Sequence, residues 1–241
     1  MKAMILAAGR GTRLKPLTDK IPKALVQINQ KPMLQILIER LISFGVIELI
    51  VNVHHFADQI IQFLKEKNNF DINIAISDER DLLLDTGGGV KKASWFFKEE
   101  DSFLVHNVDA YTNIDFNGLY EHHNSSNSIA TLAVKNRESS RKLLFNKKKE
   151  LCGWRNLKTG EEKIVNSSQN DLTKFAFSGV QIMNSKCFSL MPEEKIFSLI
   201  DFYLNAAKTE IISGYVHDED YFIDMGRIEN IKLAESILMK K

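Results

Sequence analysis

In the first half of the chain, short unbroken apolar runs alternate with apolar residues at helical spacing. Ala3-Met4-Ile5-Leu6-Ala7 has no polar interruption and reads as a first, buried strand. Met33, Leu34, Leu37, Leu41 and Phe44 then recur with the helix period over 33–44, and Gly45 supplies the stop. The same reading gives a strand over 48–53, a helix over 57–65, strands over 72–77 and 103–107, and a short helix around 90–97. Strands alternating with helices predict an α/β fold: a Rossmann-like, mixed but mainly parallel central sheet flanked by helices and joined by right-handed crossovers.

The second half changes character. From 136 to 174 the chain is polar and rich in Lys, Ser and Asn, with turns expected at Lys147-Lys148-Lys149 and Lys158-Thr159-Gly160. Two readings stay open there, strand pairs lying over a substrate and a solvated excursion. A strand pattern resumes over 175–183, an amphipathic helix over 196–208 and a last helix over 228–238. No repeat of roughly 20 to 50 residues occurs, which excludes a solenoid or an appended β-helix.

Composition narrows the function. With 241 residues, 44% hydrophobic and 26% charged, the chain is long enough for one sizeable core, and a single domain over 1–241 is expected. Thirty-two basic against 31 acidic residues leave a formal charge of +1, so no nucleic acid or anionic membrane is expected as partner. Any anion must be captured locally. Cys152 and Cys187 stand far apart, outside any C-x-x-C spacing, which argues against a disulfide framework or a thiolate zinc site and for a reducing, cytoplasmic location. Arg10 and Arg13 break the N-terminal apolar run before it reaches the length of a signal peptide or membrane span.

The local device for an anion lies directly after the first strand. Leu6-Ala7-Ala8-Gly9-Arg10-Gly11-Thr12-Arg13-Leu14 combines glycines, which let backbone amides approach phosphate, with two arginines, and Lys15 and Lys23 add further charge. It is not a dinucleotide fingerprint: the third glycine position holds Leu14, and the second strand ends in Asn52-Val53-His54-His55 where a ribose-binding acid would stand. Gly11-Thr12-Arg13 is not a P-loop. Pro16 and Pro22 stiffen the segment, as a solvated excursion would not require.

Leu6 to Leu14, continued by Pro16-Leu17-Thr18 and Pro22-Lys23-Ala24-Leu25, resembles the signature of the sugar-1-phosphate nucleotidyltransferases, in particular the short single-domain uridylyl- and guanylyltransferases. Val51-Asn52-Val53-His54-His55 and Leu84-Asp85-Thr86-Gly87-Gly88-Gly89 are also similar to that family, and the likeness runs to Asp224 and beyond. It implies the nucleotide-diphospho-sugar transferase fold, with 1–115 as the nucleotide-binding half and 116–241 as the sugar-phosphate half. It also implies transfer of a nucleoside monophosphate from a triphosphate, UTP or GTP, to a sugar 1-phosphate, with pyrophosphate leaving, in a cytoplasmic monomer or small homo-oligomer that serves cell-envelope sugar synthesis.

The resemblance assigns residues as well. Arg13, Lys23 and Asp109 are the expected catalytic groups. Leu6, Ala7, Ala8, Gly9, Gly11, Thr12 and Arg13, with Thr86, Gly87 and Gly88, would bind the nucleotide, the glycine run preceding a helix and lining the base pocket. Asn107, Lys163, Ser178 and Gly179 would bind the sugar phosphate, Lys163 by likeness to a Glu-Lys pair that is Glu162-Lys163 here. Asp109 and Asp224 would hold Mg²⁺, a pairing that spacing alone could not make, with Asp115 and Asp218 as fallback ligands. Two positions depart from the family pattern, Val108 where a glycine usually precedes the aspartate and Arg227 where a threonine usually follows Gly226. Val108 puts a side chain where backbone often lies close to substrate. His54, His55 and His106 are expected to be packed or surface histidines without a catalytic part. Two other functions stay open: a cytidylyltransferase for phosphocholine, its ammonium caged by aromatics drawn from Trp95, Trp154, Tyr203, Tyr215 and Tyr221, and a nucleotide-sugar-binding protein without turnover.

Overall fold

The computed structural model describes residues 1–166 and 171–238, so 167–170 of the polar stretch lie outside the described residues. The first half runs β1 (Ala3–Leu6), β2 (Gln27–Ile28), β3 (Lys31–Pro32), α1 (Met33–Ser43), β4 (Glu48–Val53), α2 (Ala57–Glu66), β5 (Asn73–Asp78), α3 (Asp85–Lys92), β6 (Ser102–Asn107), β7 (Ala110–Thr112) and α4 (Phe116–Ser125). The second runs β8 (Ala130–Lys135), β9 (Arg141–Phe145), β10 (Leu151–Asn156), β11 (Glu162–Ile164), β12 (Thr173–Asn184), α5 (Cys187–Leu190), α6 (Leu199–Ala206), β13 (Ile212–Val216), β14 (Phe222–Asp224) and α7 (Ile228–Leu238).

Ten of these strands form one mixed sheet. β5, β4, β1 and β6 lie side by side in parallel. The long β12 continues the sheet antiparallel to β6 and also pairs with β8 and β9, while β10 and β11 extend it as hairpins. The solid apolar run of β1 follows from burial on both faces. Ala3 and Ile5 pack into one core with Leu34 and Leu37 of α1, Ile60 of α2 and Phe116 of α4, while Met4 and Leu6 face a second core with Val90 of α3 and Phe202 of α6. Each of the larger side chains here is worth about 1.5–3 kcal/mol relative to exposure, which ties the helices to the sheet. Both cores draw on both halves of the sequence.

The stretch 136–174 resolves as strand pairs: Leu143, Leu144, Phe145 and Leu151 are buried, and β9, β10 and β11 are antiparallel neighbours. Two helix expectations shift. The helix expected over 196–208 begins only at Leu199, because Ser198 caps it by accepting a hydrogen bond from the Asp201 amide at 3.0 Å and leaves Ile196 outside, 54% exposed. The helix expected over 90–97 instead begins at Asp85 and ends at Lys92, followed by a separate 3₁₀ turn over Ser94–Phe97. The glycine run therefore lies inside α3 rather than before it.

Candidate active site

Strand order reverses at β1: β4 and β5 extend to one side and β6 lies on the other. Loops leaving the carboxyl ends of parallel strands diverge at such a point and open a crevice where ligands bind. The loop after β1, Asn107 at the end of β6 and Asp109 just beyond it meet there.

The loop is built around its own residues. Leu14 is fully buried, and the Thr18 hydroxyl, 2% exposed, donates to the Gly11 carbonyl at 2.8 Å. Gly11 has φ +66°, a conformation that glycine reaches without strain, and a Cβ there would stand 2.8 Å from Thr18. Pro22 starts a 3₁₀ turn over Lys23–Leu25 that directs Lys23 inward, beneath Gly9 and Gly11.

Asp224 reaches this loop by a route that spacing along the chain does not show. β14 pairs antiparallel with β7, with Asp224 opposite Ala110, and the Met225 amide donates to the Asp109 carbonyl at 2.8 Å. The result is a charged cradle. Lys23 Nζ lies 2.9 Å from Asp109 Oδ2, Arg13 NH1 lies 3.0 Å from Asp224 Oδ2, and Arg13 NH2 approaches Asp109 Oδ2 at 3.9 Å. Arg227 also grips Asp224, Nε to Oδ2 at 3.3 Å. Three of these side chains converge on Gly226, where a Cβ would stand 2.6 Å from Asp109 Oδ2, 2.7 Å from Arg13 NH2 and 2.9 Å from Asp224 Oδ1. Burial pushes the Asp109 carboxyl up, but the Lys23 ammonium, by charge and by hydrogen bond, and more weakly Arg13, outweigh it and hold the group below the usual carboxylate range. Asp109 is thus anionic at neutral pH.

A cavity of about 320 Å³ opens from the cradle. Asn107 and Gly179 line it with uncharged polar surface, with Ser178 buried behind them; Leu143, Trp154 and Ile200 add apolar surface, and Arg137, Arg141 and Lys142 positive charge. Gly179 adopts φ +70°, and a Cβ there would strike the Asn107 amide at 2.8 Å, so glycine is required by a protein neighbour. The pairing of β12 with β8 shifts register between Phe177 and Gln181, which turns Ser178 toward His217; Ser178 Oγ and His217 Nε2 are 2.8 Å apart.

A family model described as nucleotidyl transferase matches residues 2–143. The chain belongs to the nucleotidyl transferase family. Its first 143 residues hold the loop, Lys23 and Asp109, whereas Asp224 joins the site through the β7–β14 pairing. The chain is 37% identical over 144 residues to the UTP–glucose-1-phosphate uridylyltransferase of Synechocystis sp., covering 56% of this chain and 37% of that one. It is 44% identical over 110 residues to the N-acetylmuramate alpha-1-phosphate uridylyltransferase of Caulobacter vibrioides, 45% of each chain. It therefore spans less than half the length of these two curated relatives. Among solved structures, HddC from Yersinia pseudotuberculosis complexed with GMP-PN superposes with a TM-score of 0.79 at 26% identity, covering 98% of this chain and 99% of that one.

Two further residues, Asn52 and Glu79, support the loop after β1. Asn52 Oδ1 accepts from the amides of Ala7 at 2.7 Å and Ala8 at 3.3 Å, and Asn52 Nδ2 donates to Glu79 Oε1 at 2.8 Å. Glu79, 1% exposed, accepts the Leu84 amide through its other oxygen. The amides of Ala7 and Ala8, two residues expected to bind the nucleotide, are thus already bonded within the protein. Asn52→Leu orphans both amides and one oxygen of a buried carboxylate, a loss of about 1–3 kcal/mol per group. We expect a melting temperature several degrees lower, measured by thermal denaturation.

The glycine run serves the packing of the fold. Gly87 and Gly88 are buried, and both amides donate to the Phe197 carbonyl, at 2.9 and 3.2 Å. A Cβ on Gly88 would lie 2.0 Å from the Lys195 carbonyl oxygen, and one on Gly87 2.3 Å from the Phe197 ring. The Thr86 hydroxyl accepts the Leu199 amide at 2.9 Å. These residues let α3 lie against the chain leading into α6, and their amides are not open to a base. Because a backbone carbonyl cannot swing aside, Gly88→Ala should destabilise the fold by about 1–3 kcal/mol, read as a fall in melting temperature.

Other expected residues also have assigned places. Asp115 caps α4 by accepting the Asn117 amide, and Asp218 accepts the Asn136 amide, so neither fallback ligand joins the cradle. Lys163 pairs with Asp201 at 3.0 Å and does not line the cavity. The Val108 side chain is buried in the core rather than facing substrate. His106 is fully buried, with its pKa pushed down to about 4 by desolvation and its Nδ1 2.8 Å from the Asn107 carbonyl, and it stays neutral. Of the five aromatics considered for an ammonium cage only Trp154 lines the cavity, Tyr203 being fully buried, and the arginines around it would repel a quaternary ammonium. No helix among the described residues is long and apolar enough to cross a membrane.

Proposed function

We propose that the protein transfers a nucleoside monophosphate from a nucleoside triphosphate to a sugar 1-phosphate, releasing pyrophosphate, with Mg²⁺ as cofactor. The observation that carries this reading is the convergence of Arg13, Asp109 and Asp224 on the space beside Gly226, with Lys23 paired to Asp109. An oxygen of the sugar phosphate forms a bond to the α-phosphorus while the bond to the bridging β-oxygen breaks, and the electron pair leaves on pyrophosphate. A phosphate monoester is already a nucleophile at neutral pH, so the protein's task is to align two anions and offset their repulsion.

Arg13, with 55% of its side chain exposed, can turn its guanidinium to the β- and γ-phosphates, whose charge grows as pyrophosphate departs. Lys23, only 14% exposed, is a fixed charge for the α-phosphate or the incoming phosphate. A Cβ at Gly9 would meet nothing closer than Lys23 Nζ at 3.4 Å, so the loop leaves room above the lysine. Asn107 and Gly179, with Ser178 behind them, line the place for the sugar.

The donor set suits Mg²⁺, which takes one or two protein carboxylates and completes its shell with water and phosphate oxygens. Asp109 and Asp224 supply the two, converging on a cradle that a Cβ at Gly226 would fill, and among the described residues no cluster of three or more metal-ligating side chains occurs. Held there, the ion would neutralise phosphate charge and favour departure of pyrophosphate.

UTP and GTP are the favoured triphosphates, supported by uridylyltransferase relatives and a neighbour solved with GMP-PN. The free, buried cysteines accord with a cytoplasmic setting, and we place the product in cell-envelope sugar synthesis. A pyrophosphate-release assay over the five nucleoside triphosphates and a set of sugar 1-phosphates, with and without Mg²⁺, tests the reading. Release that requires both substrates is expected. Saturable nucleotide binding without pyrophosphate from any pair would leave a nucleotide-sugar-binding protein instead.

A further inference from the structure

Every cation of the cradle has an acidic partner, Lys23 on Asp109 and both Arg13 and Arg227 on Asp224. Those of the far wall do not. Arg137, Arg141 and Lys142 all line it, and none has an acidic side chain within ion-pair distance among the described residues. Two of the three are held in place with their charge partly desolvated. Lys142, 9% exposed, donates to the Arg137 carbonyl, and Arg137 donates from NH2 to the Phe177 carbonyl at 2.8 Å while stacking 4.2 Å over the Phe222 ring. Arg137 Nε is buried without a partner. Arg137 and Lys142, two cations held by neutral carbonyls, repel one another, and the exposed Arg141 adds a third charge to the lining, an arrangement that is costly unless an anion completes it.

The position of this wall says which anion. Phe222, under Arg137, stands two residues before Asp224 in β14, about 7 Å at strand rise. The same cavity is lined by the uncharged polar Asn107 and the apolar Trp154 and Leu143, chemistry suited to the hydroxyls and the face of a sugar ring. If, as proposed above, the acceptor's 1-phosphate reacts in the cradle, the cations face the opposite end of the sugar. We infer that the acceptor is a sugar 1-phosphate carrying a second anionic group, a carboxylate or a second phosphate, seated on Arg137, Arg141 and Lys142.

Matched acceptors test this: glucose, mannose and N-acetylglucosamine 1-phosphates against the corresponding uronic acid 1-phosphates, 1,6-bisphosphates and the lactyl ether N-acetylmuramate 1-phosphate. The wild type should show kcat/KM at least tenfold higher for a charged acceptor than for its neutral parent, and which charged series responds separates carboxylate from phosphate. Arg141→Gln, on an exposed side chain that should not disturb folding, and independently Lys142→Met should bring that ratio close to one. Equal kcat/KM for neutral and charged acceptors throughout would overturn the inference. Calorimetric titration of the same compounds separates it from the transfer reading. Tighter binding of the charged compounds, lost in Arg141→Gln, with no pyrophosphate from any pair would sink the transfer reading while leaving the second-anion site standing. Equal binding of neutral and charged compounds would sink the inference whatever the turnover.

Discussion

Asp109→Asn is expected to lower pyrophosphate release by about a hundredfold or more while the purified protein still folds. The change keeps shape and removes one charge at the point where Lys23 and Arg13 approach. Loss of a charged contact of this kind costs on the order of 3 kcal/mol of transition-state stabilisation. Lys23 is then left as a mostly buried, unpaired cation, so a drop in melting temperature should accompany the loss, smallest at low pH. The sign follows from the carboxyl's folded-state pKa, which lies below its unfolded value of about 3.9. Stability from the ion pair is fully present above that value and disappears as pH falls through the folded one, where wild type and variant should converge. Initial rates and thermal melts across pH check both parts. Turnover near that of the wild type would remove Asp109 from the site.

Gly226→Ala should be nearly as damaging to activity and much gentler to the fold. The new methyl would fall within 2.9 Å of both carboxylates and of the Arg13 guanidinium, but these are ends of side chains that can swing away. The fold therefore survives, in contrast to Gly88→Ala, where a backbone carbonyl stands in the way. What is lost is the convergence, and displacing catalytic groups by about 1 Å costs on the order of a hundredfold in rate. The expected result is a melting temperature within a few degrees of wild type with kcat down about a hundredfold. Retained kcat would show that the groups need not meet at this point.

How legible these features were depends on where the physical constraint resides. β1, α1 and β4 could be read from the sequence because burial on two faces or along one stripe writes itself directly into the apolar pattern. The first loop was legible because its glycines, cations and prolines are adjacent in sequence. Asp224 was not pairable with Asp109 by spacing; the β7–β14 ribbon brings them together. Glycines inside α3 oppose local helix propensity, and only the close approach of Lys195 and Phe197, distant in sequence, explains them. Arg137, Arg141 and Lys142 look like any solvated Lys- and Ser-rich stretch until β9 pairs with β10 and β12. Asn52 left a trace: an amide within the apolar strand Leu49 to Val53 must find partners, and it holds the loop.

The central claim, phosphoryl transfer between two bound anions, is tested most directly by ³¹P nuclear magnetic resonance of the protein with UTP or GTP, Mg²⁺ and the sugar 1-phosphate panel. The account predicts pyrophosphate and a sugar-linked diphosphate appearing in equal amounts as the triphosphate and the sugar 1-phosphate disappear together. Triphosphate cleavage without a sugar-linked product, or no reaction while both ligands bind, would contradict it.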